Sequence, residues 1–232
     1  MSPCAKMNNI SENIKHFKSL LPENVLFIAV SKTQPIEAIK EAYQAGQRNF
    51  GENKVQEMLS KHEQLKHLDI NWHLIGHLQT NKVKYIVPFV KLIHSVDSLK
   101  LLQEINKQSL KLNKITECLL QFHIAEEDTK FGLDYDEAVQ ILNSEEYKAM
   151  QNVRICGVMG MATFTEDMER VRREFKSLKL IFDSLKENFF KNNSDFKEVS
   201  MGMSGDWQIA VEEGSTMIRI GTSIFGERNY NT

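Results

Sequence analysis

A lysine stands directly after a short apolar run in "LFIAVSKTQP", Leu26 to Pro35. Near the interior of a fold an ammonium loses hydration. That lowers its pKa and makes the neutral amine a nucleophile toward carbonyls. In that role Lys32 would hold an aldehyde; in a plainer role it closes a salt bridge at a strand end. Two later stretches bear on the choice. "MGMSGDW" (Met201 to Trp207) and "RIGTSIFG" (Arg219 to Gly226) each place glycine beside hydroxyls straight after an apolar run. Glycine lets backbone N–H groups approach an anion, and Ser or Thr adds hydrogen bonds. The pair of loops favours a phosphate over two ordinary turns. A carbonyl-seeking lysine with a phosphate cradle calls for a phosphorylated aldehyde. Pyridoxal 5′-phosphate (PLP), held as a lysine Schiff base, fits that description. So does a sugar phosphate on a cofactor-free aldolase.

Arg219 helps to discriminate. If Ile218 and Ile220 point outward, Arg219 points inward beside the second loop. A cation next to a pyridine nitrogen disfavours protonation there and weakens the ring as an electron sink. A phosphate contact and a buried ion pair with Glu52 stay open for Arg219. Asn53, in "GEN", is a candidate contact to the ring or to its Schiff base, or else a helix N-cap. His73 lines the expected pocket, and Met203 is a further pocket contact. His73 and His77 are four apart in "WHLIGH". Gly76 and the strand-like "WHLI" argue against a helix that would bring them together, and neither a carboxylate nor a cysteine completes a metal site. No metal is expected. His94 and His123 give weaker signals.

These residues need a scaffold that gathers them. Eight β-type runs alternate with helical patterns: Val25–Val30, Gln47–Phe50, Asn71–Ile75, Lys91–His94, Thr116–Ile124, Val153–Met159, Phe196–Ser200 and Thr216–Ile220. Several are continuous apolar runs, as in strands covered on both faces. Between them lie "PIEAIKEAYQAG", "NKVQEMLSKHEQLKHL", "SVDSLKLLQEINKQSLKLN", "DYDEAVQILN" and "FTEDMERVRREFKSLKLIFDSLKENFF", with a leading helix over Asn9 to Leu21. Eight βα units in 232 residues predict one α/β domain over residues 1–232, a (β/α)₈ TIM barrel. A doubly wound open sheet would use fewer strands at this length, and no early G-x-G-x-x-G follows a strand. In a barrel the strand C-termini carry the site, which puts Lys32, "GEN", "SMGMSGDW" and Arg219 at one mouth.

Composition bounds the partners. The net charge is −2, and no basic tract interleaves with aromatics, so nucleic acid and anionic membrane are not expected. Cys4, Cys118 and Cys156 are odd in number and widely spaced, which fits a reducing compartment. The polar "MSPCAKMNNISENIKHF" has no apolar core of a secretory signal, and the apolar runs are too short for a membrane span. A cytoplasmic protein is expected. The long amphipathic "MERVRREFKSLKLIFDSLKENFF" reads as a barrel-covering helix, which favours a monomer.

"AVSKTQPIEAIKEAYQAGQRNFGENKVQE", "WHLIGHLQTNK", "IHSVDS" and "SMGMSGDWQIAVEEGSTMIRIGTSIFGER" together resemble the pyridoxal phosphate homeostasis proteins, from about Val25 to Arg228. The resemblance implies a single barrel like the N-terminal domain of alanine racemase. It implies that Lys32 carries PLP as a Schiff base and that Arg219 faces the pyridine nitrogen. Ser200, Ser204, Gly221 and Thr222 match phosphate-site positions, and Asn53 and His73 match pocket positions. Gly205 stands where many members carry a polar residue, and "GVMGMATF" varies on the family's Gly-Leu-Met stretch. The implied role is intracellular PLP (vitamin B6) homeostasis without established turnover, with PLP-dependent apo-enzymes as possible recipients. A racemase-like PLP enzyme is the alternative. Racemising relatives use a second domain whose tyrosine opposes the lysine, and this chain is expected to lack that second acid/base.

Overall fold

The structure, a computed structural model, describes residues 9–126 and 132–226. Cys4 and the closing "ER" of the last motif lie outside the described residues. Helix α1 (Ile10–Leu20) precedes eight parallel strands: β1 (Leu26–Val30), β2 (Asn49–Glu52), β3 (Asn71–Leu74), β4 (Val90–Val96), β5 (Thr116–Phe122), β6 (Val153–Gly160), β7 (Glu198–Ser200) and β8 (Met217–Ile220). They pair in sequence order, and β1 closes on β8 to complete the barrel. The helices between them are α2 (Ile36–Gln44), α3 (Val55–Leu65), α4 (Val83–Ile86), α5 (Leu99–Lys111), α6 (Tyr135–Asn143), α7 (Glu145–Lys148), α8 (Met168–Phe189) and α9 (Trp207–Glu212), with α10 (Thr222–Phe225) after β8. Among the described residues no helix is long and apolar enough to cross a membrane.

Local chemistry explains the boundaries. Ser98 caps α5 by accepting from the Leu101 N–H, and Asp134 and Glu137 form a reciprocal capping box on α6. Helix α2 ends into Gly46, whose φ of 89° suits a residue without Cβ. The second strand begins at Asn49 rather than Gln47 and runs on to Glu52. Gln47 is diverted because its side-chain amide donates to the carbonyls of Phe27 and Asn49. Short helices in "TNKVKYI" and "EEYK" have no counterpart in the sequence reading, being too brief to show a helical period.

Parity along the strands divides the core. Ile28, Leu92, Leu119, Cys156, Met159 and Met217 fill the barrel interior. Phe27, Ala29, Phe50, Trp72, Leu74, Ile218 and Ile220 face outward, where the helices bury them in the larger cluster. So Arg219, between Ile218 and Ile220, points inward as the alternation predicts.

Candidate functional site

Lys32 is half-buried in the turn that follows β1. The Ser31 N–H donates to the Gly51 carbonyl at 3.0 Å, which extends the β1–β2 ladder one residue beyond β1. Thr33 has φ 65°, in the left-handed region that β-branched residues rarely occupy. Something must hold the turn in that shape. Lys61 of α3, only 5% exposed, donates to the Ser31 carbonyl at 2.7 Å, to Glu52 Oε1 at 2.8 Å and to Glu57 Oε1 at 2.7 Å. Glu57 Oε1 also accepts from the Thr33 N–H at 2.5 Å, and the Ser31 hydroxyl donates to Glu52 Oε1 at 2.6 Å. Burial raises the Glu52 pKa, opposed by the charge and hydrogen bond of Lys61 and by the Ser31 hydroxyl. Glu52 is thus committed on the outer face of the sheet, and the alternative of an ion pair with the inward Arg219 does not arise.

Across the mouth, the loops after β7 and β8 meet. The Gly221 N–H donates to Ser204 Oγ at 3.3 Å. Asp206 Oδ1 accepts from the Met203 N–H at 2.6 Å and shapes the first loop. Around Gly205 the space is open: a Cβ there would have no neighbour within 4 Å. Among the described residues, the amides of Ser204, Gly205, Thr222 and Ser223 have no hydrogen-bond acceptor. Two facing loops with unused N–H groups, hydroxyls and no bulk make a donor set for a phosphate. The β8 loop lies against the end of β1, two residues before Lys32. Ala29 registers with Ile220, and a Cβ on Gly221 would sit 3.3 Å from the Val30 carbonyl.

Arg219, 4% exposed, lies between these loops and the interior. NH1 donates to Ser200 Oγ at 2.6 Å, and NH2 donates to the Gly160 carbonyl at 3.0 Å. Burial draws its pKa down to about 10, so it remains a cation near neutrality. Ser200 is fully buried, and its hydroxyl lies between Arg219 and His94, not in the loop where Ser204 and Gly221 meet. His73 likewise sits deep. Its Nδ1 is 3.0 Å from His94 Nε2, its Nε2 is 3.2 Å from Asn49 Oδ1, and it lines a cleft at the opposite end of the barrel with Leu26, Lys91 and Met217. Both rings are neutral. Burial holds His73 down at about 3, and burial, then His73 and Arg219, hold His94 well below its ordinary value.

Neutral rings give this column a direction. Asn49 Oδ1 can only accept, so His73 Nε2 donates and His73 Nδ1 accepts from His94 Nε2. His94 Nδ1 then accepts from the Ser200 hydroxyl, which itself accepts from Arg219. Every donor meets an acceptor from the mouth to the opposite end. In the sequence alone His94 is a weak signal; its place between two inward residues follows only once strand register is known.

Of the remaining expected site residues, Asn53 lies in the turn after β2, packed so closely on Gly76 that a Cβ there would fall 2.3 Å from the Asn53 carbonyl oxygen. Thr222 opens α10 at the rim, and Met203 is half-buried. His73 and His77 are kept apart: His77 is half exposed and pairs with Asp97 at 3.4 Å. Glu174 of α8 carries no signal in the sequence, standing as one more charge on a long amphipathic helix. It accepts from the Thr163 N–H and hydroxyl, both at 2.7 Å, and from the Glu126 N–H at 3.1 Å, tying the loops after β5 and β6 together.

Comparisons with known proteins agree with the barrel fold. The family model for the alanine racemase N-terminal domain matches residues 6–229. A pyridoxal phosphate homeostasis protein of Aquifex aeolicus (strain VF5) is 39% identical over 233 residues, covering 99% of this chain and 100% of the relative. A protein of the same name from Vibrio alginolyticus is 37% identical, covering 97% and 100%. The solved structure of PipY from Synechococcus elongatus PCC7942 with PLP bound superposes with a TM-score of 0.86 at 37% identity, covering 94% of this chain and all of that one. An alanine racemase of Clostridium difficile 630 shares the fold, with a TM-score of 0.75 at 16% identity, and this chain covers 57% of it.

Proposed function

The chain belongs to the pyridoxal phosphate homeostasis protein family, and we propose that it binds PLP in the barrel mouth through Lys32. The observation that carries the reading is the meeting of three features at one rim. These are the Lys32 turn, the open amides of the β7 and β8 loops, and the buried cation of Arg219 between them. PLP, when bound, supplies an aldehyde that a lysine amine can hold and a ring that can accept electrons. The amine of Lys32 anchors that aldehyde. Ser204 and Thr222 would hold the phosphate with their hydroxyls and unused backbone N–H groups, Gly221, whose N–H is taken by Ser204, would let the loop come close, and Asn53 and Met203 would border the ring. Ser200 and His73 act from behind: the column they belong to fixes the guanidinium of Arg219, and His73 does not reach the mouth.

The role is PLP homeostasis in the cytoplasm, by a monomer that stores the cofactor and passes it to PLP-dependent apo-enzymes. Arg219 supports storage over catalysis. It presents a cation that disfavours protonation of a neighbouring ring nitrogen, and its own partners, a serine hydroxyl and a carbonyl, are neutral. Lys32→Ala checks the assignment. The wild-type protein with PLP should show a visible absorption band, and borohydride should fix the cofactor to the peptide that contains Lys32. The variant should lose both. A covalent adduct on the variant would overturn the assignment. Turnover of any amino acid in a chiral-chromatography panel would replace storage with an enzyme.

A further inference from the structure

The ion group behind Lys32 is costly where it stands. Lys61 and Glu52 are buried between β1, β2 and α3, a place where apolar residues would pack without desolvation. Glu52 Oε2 is buried with no hydrogen-bond partner. Yet all three Lys61 N–H bonds are used, and two of them act on the Lys32 turn. One reaches the carbonyl of Ser31, the residue before Lys32. Another holds Glu57 Oε1, which binds the N–H of Thr33, the residue after it. The backbone is therefore gripped on both sides of Lys32, and Thr33 is kept in a conformation uncommon for its type.

We propose that Lys61 is a positioning residue which, through Ser31 and Glu57, holds the Lys32 turn in the geometry for bonding an aldehyde. The inference rests on the reading that Lys32 anchors PLP. In that step the Lys32 nitrogen bonds the aldehyde carbon, and the aldehyde oxygen leaves as water with both amine hydrogens. Lys61 touches neither reacting atom. It sets how often the amine is aimed, so it governs the covalent part of binding and leaves the phosphate and ring contacts as they are.

The test uses the full chain and two probes: PLP, and pyridoxine 5′-phosphate, which keeps the ring and phosphate but has no aldehyde. Glu57→Ala removes the acceptor for Thr33 from a partly exposed helix position and leaves the buried pair in place; Lys61→Met removes the grip itself. For both variants the PLP Kd should rise, and formation of the absorption band should slow, by about tenfold. The Kd for pyridoxine 5′-phosphate should stay within about twofold, and Lys61→Arg should regain part of the loss. If Lys61→Met does not fold, Glu57→Ala alone decides. PLP binding within twofold of wild type in Glu57→Ala overturns the proposal, as does equal weakening of both probes. Wild-type protein that forms no borohydride-trapped adduct at Lys32 is a different failure, and sinks the anchoring role itself.

Discussion

The two sides of the barrel mouth are built from different materials. On the β1–β2 side, side chains of opposite charge reach in from α3 and grip the backbone around Lys32. On the β7–β8 side, one long hydrogen bond from Gly221 to Ser204 and an Asx contact to Met203 shape loops in which, among the described residues, the amides of Ser204, Gly205, Thr222 and Ser223 have no acceptor. The first side fixes one atom against strain. The second offers many weak donors to whatever anion comes. Under the proposed reading the first side is a tether, which must be aimed, and the second a cradle, which must be permissive, and the charged and small residues are divided accordingly.

The sharpest way to break that contrast is Lys61→Met. It strands the carboxylate of Glu52 in the interior, and such losses run to about 3–5 kcal/mol. Urea unfolding should show a loss of that size, largely returned by adding Glu52→Gln. A small loss would mean that the charges do not hold the β1–β2 side.

On the permissive side, backbone conformation should matter more than side chains. Gly202 has φ 98°, and a Cβ there would lie 2.6 Å from the Ala210 Cβ. Gly202→Ala should therefore cost about 2–3 kcal/mol by thermal melting.

Acid should strike between the two sides. The unfolded chain protonates His73 near pH 6.5, whereas the folded one holds it to about 3. Its contribution is whole above the unfolded value and is lost as the pH falls toward 3. Between about pH 7 and pH 5, His73 alone should remove about 2 kcal/mol, with His94 adding in the same direction. His73→Gln should flatten that part of the stability–pH curve. Smallest of all, Ser204→Ala should change the melting free energy by less than about 1 kcal/mol, because it removes one long, part-buried hydrogen bond. A larger loss would make the β7–β8 side as dependent on side chains as its opposite.

Much of this was readable from residue order. Alternating runs gave eight strands, and the parity of Ile218 and Ile220 turned Arg219 inward. The Lys32 turn and both Gly/Ser loops follow strand ends, which is where a barrel gathers its site. Contacts between distant segments were not readable. Ser200 belongs by position to the phosphate loop, but as the last residue of β7 its parity aims it at the interior. His94 gains a role only through its neighbours on β3 and β7. Lys61 did leave a trace. It falls with Met58 and Leu65 on the buried stripe of α3, four residues after Glu57, and a lysine in such a stripe needs partners.

The directed column beneath Arg219 offers a clock. The proton on His94 Nε2 lies in a fully buried ring, donated to His73. It can swap for deuterium only when water reaches the buried ring. Its exchange rate in an imidazole NMR spectrum would therefore time the opening of the barrel from the inside, where backbone amides at the rims report only local fraying.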